Sequence, residues 1–134
     1  MTTQLNKTVM EGIFAGLAKG NGAPFREAMA DDFTWTITGS TAWSRSYRGK
    51  EAVSNDLLRP LFAKFKDRYT NTAERIFADG DHVIIQCKGR VTTIADKPYH
   101  NTYCWVIHMV DGKMKELVEY GDTALIERAL GSPD

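Results

Sequence analysis

The sequence predicts an α+β domain in which helices come first and a curved antiparallel sheet wraps around them. In the N-terminal half, apolar residues recur at helical spacing, and in the C-terminal half they alternate with polar residues as in half-buried strands. The dipeptides Asp79-Gly80 and Asp111-Gly112 are typical of hairpin turns. Helices followed by a run of hairpin-connected strands indicate this fold class.

Three helices are expected before the main run of strands. The first ends at Gly20 and Gly22, and a four-residue spacing gives it one apolar stripe: Leu5, Val9, Ile13 and Leu17. Pro24 suits the first turn of a short second helix. Pro60 is expected to kink the third helix or to shorten it at its N-terminal side. The stripe of that third helix is Val53, Leu57, Leu61 and Phe65.

The strands are predicted from the period-two pattern. In FTWTIT, residues 33–38, large apolar residues alternate with threonine, so the apolar face is expected to point inward. A loop over residues 39–49 separates this strand from the third helix. A short last helix is expected from Thr123 to Leu130, ending at Gly131. The other strands are expected over residues 71–78, 82–93, 99–110 and 114–122.

Composition indicates one small domain without a strongly charged partner. The chain has 134 residues, 43% of them hydrophobic, so a single domain over residues 1–134 can bury a core. Lys+Arg and Asp+Glu number 17 each, so the chain has no net positive charge that would attract nucleic acid or an anionic membrane. No signal-peptide pattern or membrane-length apolar segment is present, so a cytoplasmic location is expected.

No cofactor and no metal site are expected. Cys87 and Cys104 form neither a CxxC pair nor a zinc spacing, so reduced, buried thiols are predicted. His100 and His108 share a strand face, but eight residues place them roughly 26 Å apart, too far to bind one metal ion. No glycine-rich phosphate loop and no nucleophile elbow is found in the sequence.

Three motifs, in their order along the chain, point to a family. They are YRGKEAV at residues 47–53, PYHNTY at residues 98–103, and Glu119-Tyr120 followed by Asp122. With them, the chain resembles the SnoaL-like and ketosteroid-isomerase-like group of the nuclear transport factor two-like superfamily over essentially its whole length. The resemblance implies a cone-shaped domain that encloses one deep apolar pocket for a small-molecule ligand. It also implies a homodimer formed through the outer face of the sheet.

Two departures from these relatives bear on the reaction. The general base of the steroid isomerases falls at Ile37, which has no titratable proton, and their second pocket acid falls near Trp105. In the epoxide hydrolases, a tyrosine and an asparagine that hold the attacking water fall at Trp35 and Ile37. Glu119, by contrast, stands at the position of their water-activating carboxylate. Steroid isomerisation by the usual mechanism is therefore not expected. Of the residues that the epoxide hydrolases use for hydrolysis, the water-activating carboxylate is present and the two water-holding residues are not.

Two carboxylates, Glu119 and Asp122, are the catalytic candidates. If Glu119 faces an aromatic cavity, desolvation raises its pKa toward a range useful for acid/base catalysis. The alternative is an ion pair of Glu119 with Lys88 or Arg90 for structure alone. Asp122 immediately precedes the last helix, so it is also a candidate N-cap.

Either of two alternating sets of residues on the last strand could line the pocket. Hydrophobicity alone would turn Met114, Glu116, Val118 and Tyr120 inward. The register implied by the family instead turns inward Lys115, Leu117, Glu119 and Gly121. We follow the register, because an apolar outer face is expected where two subunits pair.

The remaining candidates are expected to bind the substrate. Lys88 and Arg90 are predicted to face the pocket, where either could orient Glu119 or bind an oxyanion, and a solvated polar face is the alternative. Tyr47 and Trp43, in the loop over residues 39–49, are expected at the pocket mouth. The pocket wall is expected to include Trp35, Ile37, Asn101, Tyr103 and Trp105, although aromatic residues in such positions can also serve the core alone.

The sequence supports two functions. The first is an enzyme without a cofactor, an isomerase, cyclase or hydrolase, in which Glu119 acts as acid or base on a moderately apolar substrate with a carbonyl or epoxide group. The second is a binding or accessory domain that keeps the pocket but performs no chemistry. A closed cavity in which Glu119 is hydrogen-bonded to Lys88 or Arg90 favours the first, and a filled or open cavity favours the second.

Overall fold

The computed structural model describes residues 2–134 and confirms the α+β class. Helices cover one face of a single six-stranded sheet. None of the helices within residues 2–134 combines the length and the apolarity needed to span a bilayer. In chain order, the elements are α1 (Thr3–Leu17), α2 (Ala23–Glu27), β1 (Met29–Ile37), β2 (Ser46–Arg48), α3 (Lys50–Ala52), a π-helical segment (Val53–Leu58), α4 (Arg59–Phe62), β3 (Thr70–Asp79), β4 (His82–Arg90), β5 (Thr102–Val110), β6 (Lys113–Tyr120) and α5 (Thr123–Leu130).

The sheet has the strand order β2-β1-β6-β5-β4-β3. Neighbouring strands are antiparallel except β1 and β6, which pair in parallel. Both predicted hairpin turns are present, with left-handed backbone at Gly80, Asp111 and Gly112. The parallel pair arises because β1 and β6 are far apart in sequence, so no hairpin fixes their relative direction.

Helix α1 is placed as predicted, but its buried face is displaced from the predicted stripe. Leu5 is 49% exposed, and Val9 and Leu17 are only partly buried. The helix packs on the sheet instead through Met10, Ile13 and Phe14. Both stripes fit helical spacing, and packing against the sheet decides which of them is buried.

Pro60 acts on the third helix without ending it. The helical chain runs from α3 through the π-helical segment into α4, and the Arg59 N–H bonds to the Ser54 carbonyl five residues earlier. Because proline lacks an N–H and its ring clashes with the carbonyl four residues before it, the preceding turn widens. The widened turn still buries Val53 and Leu57.

A bulge in β6 determines which of its residues face the core. His108 pairs with Glu116, but Met109 pairs with Met114, so Lys115 is the extra residue. Beyond it the alternation is reversed, and Met114 is completely buried. The predictions that Met114 faces outward and that Lys115 faces the pocket are therefore wrong, because a strict period of two does not hold across a bulge.

Candidate active site

An apolar cavity of about 80 Å³ lies between the sheet and the helices. A cavity of this size admits several waters or one compact ligand. Two charged residues line it among residues 2–134: Glu119, which is buried, and Arg26, which is exposed. Most of the wall is aromatic or aliphatic and includes Phe25, Trp35, Ile37, Tyr103 and Trp105. Three of the predicted pocket residues, Trp35, Ile37 and Trp105, thus meet around Glu119.

The sheet register brings Glu119 into this cavity. On β6, Glu119 lies opposite Trp105 of β5 on one side and Ile37 of β1 on the other. Residues directly opposite each other in a sheet share a face, and both neighbours are buried. Glu119 itself is 7% exposed. This placement agrees with the inward register expected for Leu117 and Glu119.

The environment of Glu119 favours its neutral form. Burial raises the pKa of Glu119 to about 7, and the indole N–H groups of Trp105 and Trp35 partly oppose this rise. Trp105 Nε1 donates a 3.0 Å hydrogen bond to Glu119 Oε1. No ion pair to Glu119 is found in the described part of the chain. Neither the structural ion pair nor the hydrogen bond to Lys88 or Arg90 that was expected of an enzyme is therefore present, and the carboxyl is a buried titratable group.

The indole N–H of Trp35 is near enough to this carboxyl to lower its pKa, although the two groups do not form a hydrogen bond of ordinary geometry. Trp35 is 6% exposed and lines the cavity, and its ring meets that of Trp105 edge-on with centroids 5.6 Å apart. Its Nε1 is buried without a hydrogen bond of ordinary geometry in residues 2–134. A buried N–H without an acceptor is costly, so this group is available to a ligand or a water molecule.

The SnoaL-like domain family model matches residues 10–117, most of the chain. The chain belongs to the SnoaL-like family. No curated protein matches the sequence.

Solved structures share the cone-shaped fold of this SnoaL-like domain. An NTF2-like protein from Burkholderia xenovorans LB400 is 21% identical, with 97% of this chain and 98% of that chain covered and a TM-score of 0.72. An LEH-like epoxide hydrolase from M. tuberculosis is 20% identical, with 96% and 90% covered and a TM-score of 0.72. TerC, co-crystallised with polyporic acid, is 16% identical, with 96% and 99% covered and a TM-score of 0.79. At these identities the likeness establishes the fold alone.

Lys88 and Arg90 lie on the outer face of the SnoaL-like sheet, so their predicted place in the pocket is wrong. Lys88 pairs with Glu74 at 3.4 Å in solvent, and Arg90 is exposed. On β4, Cys87 lies opposite Tyr103 and faces inward, which turns the residues on either side of it outward. Alternation defines two faces of a strand, and the choice between them depends on its neighbours.

Asp122 and Asn101 form hydrogen bonds at the junction between β6 and helix α5. Asp122 Oδ1 accepts a 3.1 Å hydrogen bond from the Leu125 N–H as the N-cap of α5, and its exposed carboxylate does not line the cavity. Asn101 Oδ1 accepts from the Asp122 backbone N–H at 3.0 Å. The capping alternative for Asp122 is therefore confirmed. Neither residue lines the cavity, so the pocket position predicted for Asn101 is wrong.

Tyr47 is part of the core and does not form the pocket mouth. It is 2% exposed, lies on β2 and donates from its hydroxyl to the Trp43 carbonyl at 2.8 Å. The Arg45 guanidinium covers its ring at 4.3 Å. The cavity wall contains Trp43 instead, whose indole N–H donates to the Gly131 carbonyl at 2.8 Å.

Two tyrosines that sequence reasoning missed, Tyr69 and Tyr99, line the cavity together with the predicted Tyr103. Burial raises the pKa of Tyr69 and Tyr103 well above the usual range, and that of Tyr99 to about 12. Tyr99 continues the inward alternation of β5 toward the N-terminus and could have been found from it. Tyr69 lies in an irregular segment before β3, where no periodicity indicates its direction.

Proposed function

We propose that this SnoaL-like protein is an enzyme without a cofactor in which Glu119 transfers a proton to or from a compact, moderately apolar substrate with a carbonyl or epoxide group. The observation that carries this proposal is a buried carboxyl with a pKa of about 7 in an apolar cavity, without a cation as partner. Carboxyl groups with raised pKa values in clefts are frequent acid/base catalysts.

The pKa of Glu119 suits proton transfer in both directions. A group whose pKa lies near the working pH is present in both forms and can take up a proton and return it. An ordinary exposed glutamate is almost fully ionised at neutral pH and is a weaker base than Glu119. Because the rise in the Glu119 pKa comes from burial, it is retained as long as a ligand keeps water out of the cavity.

Isomerisation or cyclisation through an enol is the reaction class best supported. Such reactions need one group that removes a proton next to a carbonyl and then returns it, and Glu119 is placed for this. Hydrolysis also requires an attacking water to be held. Ile37 offers it no hydrogen bond, while Trp35 Nε1 offers one. Epoxide hydrolysis, the activity named for the M. tuberculosis neighbour, is therefore the second reaction class.

Ligand binding without chemistry is the alternative function. Glu119 is the sole carboxyl lining the cavity among residues 2–134, so no second carboxyl is available to share acid and base roles. A protonated Glu119 could then serve as a hydrogen-bond donor to a bound ligand. In that case a ligand binds, but no member of a substrate panel is converted.

The proposed function is tested by turnover of a panel of lactones, epoxides, enones and cyclic 1,3-dicarbonyls. The variant Glu119→Gln keeps the volume of the side chain and removes the titratable proton, so we expect turnover to fall about 10²- to 10⁴-fold. The matched control is Glu116→Gln, on the same strand but exposed, which should retain activity. Full activity of Glu119→Gln would refute the catalytic assignment. Binding of panel compounds without turnover would favour the binding domain.

A further inference from the structure

The cavity meets solvent where two of its wall residues are exposed. Arg26 on α2 and Phe62 on α4 both line the cavity, and Phe62 is 49% exposed. The other wall residues are buried or half-buried. A residue that lines a cavity and is also exposed lies at its opening, so Arg26 and Phe62 mark the cavity mouth.

Arg26 is the one cation in the cavity wall among residues 2–134. No carboxylate in that range forms an ion pair with it, and Glu119, the other charged wall residue, is buried and does not contact it. A guanidinium is always charged and presents five N–H donors. The charge and the donors of Arg26 are therefore free to bind a ligand at the cavity mouth.

Two glycines hold arginine side chains against the connection between α1 and α2. A Cβ atom at Gly22, which lines the cavity, would lie 2.9 Å from Arg26 Nη1. The guanidinium of Arg26 thus lies against bare backbone at the cavity mouth. Arg68 packs on Gly20 in the same way, where a Cβ would lie 2.5 Å from Arg68 Cγ. Arg68 also forms no ion pair within residues 2–134, so this side of the mouth carries positive charge.

This arrangement suits a ligand with an apolar body and one negative charge. The mostly apolar wall favours an apolar body inside the cavity. An anionic group at the mouth keeps its contact with water, so it avoids most of the cost of burying a charge. The planar guanidinium of Arg26 matches a carboxylate through two parallel N–H···O bonds, and its single positive charge balances the single negative one.

We propose that Arg26 binds the carboxylate of a compact organic acid whose apolar body occupies the cavity. Arg26 is then a specificity-determining residue, which selects carboxylic acids over neutral molecules of the same shape. That the bound acid is also the reactant rests on the proposed function. Its recognition by Arg26 is a statement about binding and does not depend on proton transfer by Glu119.

The test compares cyclohexylacetate with cyclohexylacetamide, which have nearly the same shape and differ by one negative charge. Isothermal titration calorimetry is done at pH 6, where the acid is ionised and Glu119, with a pKa of about 7, is mainly neutral. We expect the acid to bind about three- to fivefold more tightly, as is typical of an exposed ion pair. Raising NaCl from about 20 mM to about 500 mM should reduce this preference. Equal affinity for the two probes, or no binding of the acid, would overturn the proposal.

The variant Arg26→Gln should abolish the preference by weakening the binding of the acid. Because Arg26 is exposed and forms no ion pair within residues 2–134, the variant should fold, and thermal melting checks this. The matched control is Arg75→Gln, exposed on β3 and outside the cavity wall, which removes the same charge and should retain the preference. A folded Arg26→Gln protein that still prefers the acid would contradict the proposal.

These results are separable from those on catalysis. If Glu119→Gln retains activity while the wild type prefers the acid, the proposed function fails and the recognition by Arg26 stands. If Glu119→Gln is inactive and the acid has no advantage over the amide, the reverse holds.

Discussion

The burial that suits Glu119 to acid/base catalysis also lowers the stability of the folded protein when the carboxyl is ionised. Its carboxyl is removed from water, and Trp105 donates the one hydrogen bond of ordinary geometry that it accepts. One neutral donor compensates only part of the hydration that a carboxylate loses on burial. The ionised form is therefore the less favoured one, which raises the pKa and makes folding sensitive to pH.

Stability should fall as pH rises from 5 to 8, and Glu119→Gln should remove this dependence. The pKa of Glu119 is about 7 in the folded protein against an ordinary value of 4.5 for glutamate, so the folded state binds more protons in this range. The contribution is fully present below the unfolded pKa and is lost as pH rises through the folded one. At about 1.4 kcal/mol per pKa unit, the loss is on the order of 3 kcal/mol.

Melting of both proteins at pH 5 and pH 8 measures this difference. The wild type should lose stability relative to Glu119→Gln as pH rises. A difference between the two proteins that is the same at both pH values would contradict the raised pKa.

Activity should depend on pH in the opposite direction if Glu119 is the base. Only the ionised form removes a proton, so kcat/KM should rise with pH and level off above about 7. The measurement is kcat/KM between pH 5 and 9 on a substrate found by the panel. A fall over the same range would assign Glu119 the role of acid.

Replacing Asp122 should lower stability and leave catalysis intact, the reverse of what is expected on replacing Glu119. Replacing it with alanine removes the acceptor for the Leu125 N–H and should cost about 1 kcal/mol of stability. Because the side chain lies outside the cavity, kcat/KM should change only as the folded fraction does. Chemical denaturation and turnover measured on the same preparation test this. A large loss of turnover in fully folded Asp122→Ala would make Asp122 a catalytic candidate again.

At the scale of secondary-structure elements, the tyrosine end of the cavity depends on the absence of a side chain in β4. A Cβ atom at Gly89 would lie 2.5 Å from the Tyr69 hydroxyl oxygen and 3.0 Å from two of its ring carbons. Gly89 thus allows the ring of Tyr69 to lie directly on the strand. The position of the Tyr69 hydroxyl in the cavity wall follows from this contact.

Gly89→Ala should destabilise the protein by about 1 to 3 kcal/mol, as is typical of overpacking, because the ring must move. The control is Gly12→Ala in helix α1, where a Cβ meets nothing within 4 Å and alanine is the better helix former. Urea unfolding should therefore move the midpoints of the two variants in opposite directions. An unchanged midpoint for Gly89→Ala would show that Tyr69 moves aside without cost.

At the scale of the whole molecule, the two faces of the sheet differ in what covers them. Helices cover the inner face, while the outer face carries apolar side chains that are half-buried or exposed. They include Phe77, Cys104, Val106, Val118 and Tyr120. A contiguous apolar patch of this kind on a monomer is a liability for solubility. We expect a second copy of the chain to cover it.

Sedimentation equilibrium at micromolar concentration should therefore show a dimer of the 15.0 kDa chain. Val118→Asp places a charge in the patch and should shift the protein toward monomer, whereas Glu51→Gln, an exposed change on α3, should not. A purely monomeric wild type would refute the predicted interface.

The family was identified by the resemblance of three motifs, and the short strand β2 lies within the segment predicted as a loop. Local sequence chemistry was enough to predict the other strands, the helices and both hairpin turns. These features depend on the period of apolar residues, the freedom of glycine at positive φ and the preference of aspartate for turns and caps. Glu119 was also identified as the central carboxyl from the sequence, because the family register turned that position of β6 inward.

Tertiary packing was needed to establish which face of β4 is inside, where the β6 bulge falls and which tyrosines meet in the cavity. Lys88 and Arg90 were misplaced because alternation along a strand leaves its two faces equivalent until a neighbouring strand is paired with it. Tyr69 was missed because an irregular segment has no period. Both cases have one cause: burial depends on contacts between residues far apart in sequence, and those contacts form only when the sheet and helices pack together.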